Sequence, residues 1–151
     1  MKLSKKGEYA LRAMIDLACN YKKEFVQVKE ISQKEKIPKK FLDQILLELK
    51  NHGLLESKSG KGGGYRLGKE PSEITFAEII RIIDGPLAPL HCVSKMAHIH
   101  CTEEKNCGLR TVMQQVRDTI AKILEGVTLA DMCPDKDSQA LLKRLKGLSY
   151  L

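Results

Sequence analysis

The chain has 151 residues, with 26 Lys and Arg against 19 Asp and Glu, for a net charge of +7. That length sets one domain, or one small domain with an arm, and a core small enough to recruit a second subunit or a metal. No run of 18 apolar residues exists to span a membrane, and the N-terminus has neither an apolar signal core nor a small-residue cleavage site, so a cytoplasmic protein is expected. In that compartment the five cysteines are not expected to be disulfides; metal ligation, redox chemistry and plain burial remain. The charge is lopsided: residues 1–70 carry 16 Lys and Arg against 9 Asp and Glu, whereas residues 71–151 carry 10 of each. A basic half suits a polyphosphate partner, with a merely solvated basic surface as the alternative.

Helical spacing of Tyr9, Leu11, Ala13, Met14, Ile15, Leu17 and Ala18 predicts a first helix over 5–22, with Cys19 buried in it and Glu8 paired to Arg12. A short helix over 27–36 follows, with Val28, Ile31 and Ser32 inward. Pro38 then fits the first turn of a third helix that buries Phe41, Leu42, Ile45, Leu46 and Leu49 and ends at Gly53. Its outward first turns carry Lys39, Lys40, Asp43 and Gln44. Two short helices joined tightly, the second opening on long polar side chains, form a helix-turn-helix. Gln44 can bond adenine at two atoms, Asp43 can accept from cytosine, and Lys39 and Lys40 can take guanine or phosphate. An ordinary helical hairpin with a charged face is the competing structure.

Two short strands, 54–58 and 65–67, flank a glycine run from Ser59 to Gly64 that lets the chain reverse. This has the form of a wing, on which Lys58, Lys61 and Arg66 can meet phosphate or the minor groove. A nucleotide-binding loop is excluded, because GxxxxGK[ST] is absent and the glycines precede a strand. Residues 75–84 form a fourth helix, capped by Thr75 with Glu78 at the capping-box spacing.

Leu90 to Arg110 holds Cys92, Cys101 and Cys107 together with His91, His98 and His100. Thiols and imidazoles this dense suit a metal site. A long helix over 108–126 follows, with Leu109, Val112, Val116, Ile120, Ile123 and Val127 in a coiled-coil-like seam. A helix so long in so small a chain is expected to pair with its twin; packing on its own domain is the alternative. Residues 128–133 form a short element in which Cys133 is a spare thiol, 134–137 a linker and 138–148 a last helix.

The order of these parts resembles the IscR/NsrR/RirA family of bacterial regulators, also called the Rrf-two family. The likeness runs from Met1 to Met132 and includes Leu3-Ser4-Lys5, Tyr9-Ala10, the glycine-rich wing ending in Tyr65, and Thr128-Leu129. It implies a dimeric transcription factor, usually a repressor, and not an enzyme. It also implies an iron–sulfur cluster, of the two-iron or four-iron type, on Cys92, Cys101 and Cys107. Such clusters sense iron, cluster status, nitric oxide or redox state. Three features depart from the family pattern. Eight residues separate the first two cysteines, Arg110 stands where IscR-type members place a His ligand, and Ser59 replaces a wing arginine. The vacant vertex falls to Glu8 of the partner subunit, as in NsrR-type members, or to His98, His100 or His91. A Cys3His zinc site and three free thiols are the alternatives to the cluster.

The expected architecture is therefore mainly α with a small β wing. Residues 1–84 form a winged helix-turn-helix DNA-binding domain, 85–107 a cluster-binding loop, 108–133 a dimerisation helix with its following element, and 134–151 an extension. The expected partners are a second copy and a near-palindromic double-stranded operator. A cluster-bearing redox protein is the rival class.

Overall fold

In a computed structural model, residues 1–21, 24–133 and 138–147 are described; the linker expected at 134–137 lies outside them. Six α-helices and one two-stranded sheet occur among them. They are α1 (Lys5–Cys19), α2 (Val28–Glu35), α3 (Lys39–Asn51), β1 (Leu55–Lys58), β2 (Gly64–Leu67), α4 (Phe76–Ile83), α5 (Gly108–Glu125) and α6 (Ser138–Lys146). Among the described residues no helix is long and apolar enough to cross a membrane.

Ser4 starts α1 by accepting the Gly7 N–H on its hydroxyl at 2.9 Å. The Asp84 carboxylate accepts the Ser4 N–H at 2.8 Å, which ties the end of α4 to the start of α1. The first helix ends at Cys19 rather than at 22, because Asn20 turns its side-chain amide onto the Asp16 carbonyl, 2.8 Å away. Between α2 and α3 the chain turns through Lys36 at φ 53 and buries Ile37. Pro38 stands at the cap position of α3, one residue ahead of its expected place.

The main core cluster joins Ala10, Ala13, Met14 and Leu17 of α1 to Ile31 of α2 and to Leu42, Ile45, Leu46 and Leu49 of α3. Small side chains at Ala10 and Ala13 let neighbouring helices approach α1 closely. Phe41 does not join them: it is 55% exposed. It sits about a quarter turn off the stripe formed by Leu42, Ile45, Leu46 and Leu49, which fills the interface without it.

The wing is an antiparallel pair with Leu55 opposite Leu67 and Lys58 opposite Gly64. Val26 bridges to Tyr65 through two 2.9 Å backbone bonds and anchors the wing to the segment before α2. Side chains are excluded at two glycines: a Cβ on Gly63 would run into the Lys58 carbonyl, and one on Gly64 into the Val26 carbonyl.

After α5 the chain returns to the first domain. Phe76 N–H donates to the Val127 carbonyl and Leu129 N–H to the Ile74 carbonyl, both at 3.0 Å, and Leu129 is fully buried. The expected seam on α5 is split. Ile120 and Leu124 pack against Ala77, Ile80 and Leu87. Leu109, Val112 and Val116 stay open, at 59%, 56% and 37% exposure. The reason is length: at 1.5 Å per residue, α4 spans about 12 Å and α5 about 27 Å, so α4 covers only one end of α5.

Candidate functional site

Lys39, Lys40 and Gln44 are exposed on the first turns of α3, and Asp43 is half-buried beside them. Lys39 Nζ lies 3.2 Å from Asp43 Oδ2, a surface pair four residues apart that leaves both groups open to exchange for a ligand. Burial raises the Tyr65 hydroxyl pKa above its ordinary value, and the Asp43 charge adds to that rise. Lys58, Ser59 and Lys61 are exposed on the wing. Arg66 is already engaged: its guanidinium lies 2.8 Å from Glu56 and 4.4 Å from the Phe25 ring centroid. The exposed Phe41 stands among the polar residues of these first turns. Its apolar character concealed it in the sequence, since apolar residues in a helical pattern are assigned to the core.

The cysteine loop is built from short turns. Cys92 lies in a 3-10 turn, His91–Val93, and is half-buried. Cys101 is exposed, and Cys107 caps α5 by accepting the Arg110 N–H on its sulfur at 3.4 Å. Glu104 organises the middle of the loop. It accepts the Cys101 N–H at 3.0 Å and lies 2.9 Å from His98 Nε2 and 3.7 Å from His100 Nδ1. The Cys101 N–H bond, and then His98, hold its carboxyl below the ordinary glutamate range. Arg117 of α5 reaches back to donate to the Val93 carbonyl at 2.6 Å, beside Cys92. Arg117 does not stand out in the sequence, because its Val93 partner is 24 positions away. Glu104 stands three and four residues after Cys101 and His100, spacings that carry no signal in a segment without a helical pattern.

Glu8 lies on α1 with Lys5 at 2.8 Å and Arg12 at 3.7 Å. The Lys5 hydrogen bond holds its carboxyl below the usual range. Among the described residues no three His, Cys, Asp or Glu side chains gather as a metal site. The donor chemistry nevertheless fits an iron–sulfur group: three thiols in one loop, with carboxylate and imidazole in reserve for a fourth position.

A recognition helix, a glycine-turned wing and a separate long helix define a winged helix-turn-helix DNA-binding protein. The chain belongs to the Rrf2 family of transcriptional regulators: its residues 3–135 match that family, described as an iron-dependent transcriptional regulator. An rrf2-like HTH-type transcriptional regulator of Rhodobacter capsulatus is 36% identical over 136 residues, covering 86% of this chain and 91% of the relative. The HTH-type transcriptional regulator CymR of Bacillus subtilis is 33% identical, covering 92% and 94%. Its solved structure, described as that of the global cysteine regulator, superposes with a TM-score of 0.76 over 91% of this chain and 99% of that one. The HTH-type transcriptional regulator IscR of Aliivibrio salmonicida is 32% identical, covering 95% and 84%. The family resemblance and the mainly α architecture with a small β wing are thereby borne out.

Proposed function

We propose that the chain acts in the cytoplasm as a homodimeric repressor on a near-palindromic operator, and that an iron–sulfur cluster on Cys92, Cys101 and Cys107 gates its binding. The observation that carries the gating is the placement of the thiols: they occupy the segment that leads into α5, and Cys107 is the cap of that helix. When bound, the cluster supplies a labile, redox-active centre. The chain's own residues relay its state. Cys107 fixes the first turn of α5, and Arg117 ties the same helix to the turn that carries Cys92. A change in the loop therefore pulls on the helix whose open stripe, Leu109, Val112 and Val116, fits a second copy.

Lys39, Lys40, Asp43 and Gln44 serve as the base-reading and phosphate contacts, with Lys58, Ser59, Lys61 and Arg66 on the wing. Glu8 of the partner subunit supplies the fourth ligand. His98 and His100, which both lean on Glu104 next to Cys101, favour a second possibility, a zinc site of three thiolates and one imidazole.

The test is selection from random double-stranded DNA, run in parallel with anaerobically purified and chelator-stripped protein. The expected result is an enriched inverted repeat, its half-sites about one helical turn (roughly 34 Å) apart. Retention should differ at least about tenfold, or 1.4 kcal/mol, between the two preparations. Equal retention overturns the gating, and absence of any enriched sequence overturns the operator assignment.

A further inference from the structure

Two cysteines lie outside the loop, and the structure brings them together. Cys19 is the last residue of α1, and Cys133 follows the 3-10 turn Leu129–Met132. The Cys19 thiol donates to Cys133 Sγ at 3.2 Å across a separation of 114 positions. The Cys133 thiol faces the Leu129 carbonyl at 3.8 Å, and Cys19 Sγ lies 4.0 Å from the Met132 carbonyl. Both are half-buried, and Cys133 packs against the main core.

We propose that Cys19 and Cys133 are a modification site, a dithiol that hydroperoxides close into a reversible intrachain disulfide. The sulfurs have to approach by only about 1 Å to reach the roughly 2.05 Å of a disulfide bond. The chemistry balances as follows. One thiol sulfur attacks a peroxide oxygen of ROOH, the O–O bond breaks, and a sulfenic acid forms as ROH leaves. The second sulfur attacks the sulfenic sulfur, the S–O bond breaks, and hydroxide departs as water with the second thiol's proton. The two thiols lose two electrons, and the hydroperoxide gains them. A thiol reductant reverses the change.

The surroundings set how readily this happens. Burial first, then the contact with Cys133 and the nearby Asp16 carboxylate, push the Cys19 thiol up to about 11. It therefore stays protonated at neutral pH and reacts slowly. Cytosolic disulfides of this kind are transient and redox-sensing. Closure would staple the return segment, already seated through Leu129, to α1 of the DNA-binding core, and would restrict the unfolded chain through a very long loop. None of this depends on a cluster in the loop or on operator binding.

The experiment treats the full-length chain with hydrogen peroxide, alkylates the remaining thiols, and maps the digest by mass spectrometry without reduction. The expected result is a joined peptide pair containing Cys19 and Cys133 from the same chain, with alkylation of both lost and then restored by dithiothreitol. The oxidised form should melt at a higher temperature than the reduced form, and Cys133→Ser should abolish both the joined pair and the upward shift. A second protein, with Cys92, Cys101 and Cys107 all replaced by Ser, should give the same joined pair. Full alkylation of Cys19 and Cys133 after peroxide treatment overturns the proposal. So does pairing of either with a loop cysteine or with another chain.

Discussion

The two parts of this molecule treat their apolar side chains in opposite ways. In the winged-helix core, Met14, Ile31, Leu42, Ile45, Leu46, Leu49 and Leu129 are fully buried by the chain's own elements. In the loop and α5, Met96, Ile99, Leu109 and Val112 all stand more than half exposed, and α5 buries no residue fully. The polar groups differ less: Ser4 and Thr75 cap α1 and α4, and Cys107 caps α5, but the three loop thiols do not converge on one another. The core is complete as a single chain. The second part presents an open apolar stripe and separate thiols, which the proposed dimer and the proposed cluster would cover.

The contrast is sharpest when one leucine is removed from each part. Leu129→Ala, in the core, should cost about 2–5 kcal/mol of unfolding free energy through lost burial and the cavity left behind. Leu109→Ala, on the open stripe, should change the stability of the monomer by less than about 0.5 kcal/mol. Urea denaturation of dilute protein measures both. Similar losses for the two would break the distinction.

A charge placed on the stripe should break assembly while leaving the fold intact. Val112→Glu combined with Val116→Glu is expected to sediment as a monomer and to bind operator about 100-fold more weakly, or 2.7 kcal/mol. Retained dimers would move the interface elsewhere.

On the recognition helix, Gln44→Ala should cost about 1–3 kcal/mol at one base position, read by competition between operator variants. Equal losses on operator and random DNA would remove it as a base reader. The smallest effect belongs to the wing: Lys61→Ala should weaken binding to all sequences alike and lower the salt slope by about 1. A loss confined to one sequence would make Lys61 a base contact.

The core was legible in the sequence because local rules wrote it. The helical spacing of α1 and α3, the Pro38 break, the Thr75 cap and the glycine run of the wing each carry their own signal, and Thr75 does accept the Glu78 N–H at 3.1 Å. Phe41 was misassigned for want of a sharper angular criterion: an apolar residue a quarter turn off the stripe still fits a loose helical pattern. The seam on α5 was regular along its whole length, yet α4 is too short to cover it, a fact that only packing reveals. The Cys19–Cys133 contact and the return of Leu129 to Ile74 join residues tens of positions apart, and no periodicity encodes such pairings. The loop cysteines announced themselves by density alone, which marks a donor set without fixing its geometry.

The most direct measurement is the visible absorption spectrum of anaerobically purified protein, with iron, acid-labile sulfide and zinc assayed on the same sample. A cluster-completed loop predicts coloured protein with iron and sulfide in comparable amounts, and loss of colour in Cys92→Ala, Cys101→Ala and Cys107→Ala but not in Cys19→Ala or Cys133→Ala. Colourless wild-type protein, with zinc or no metal in place of iron and sulfide, would contradict it.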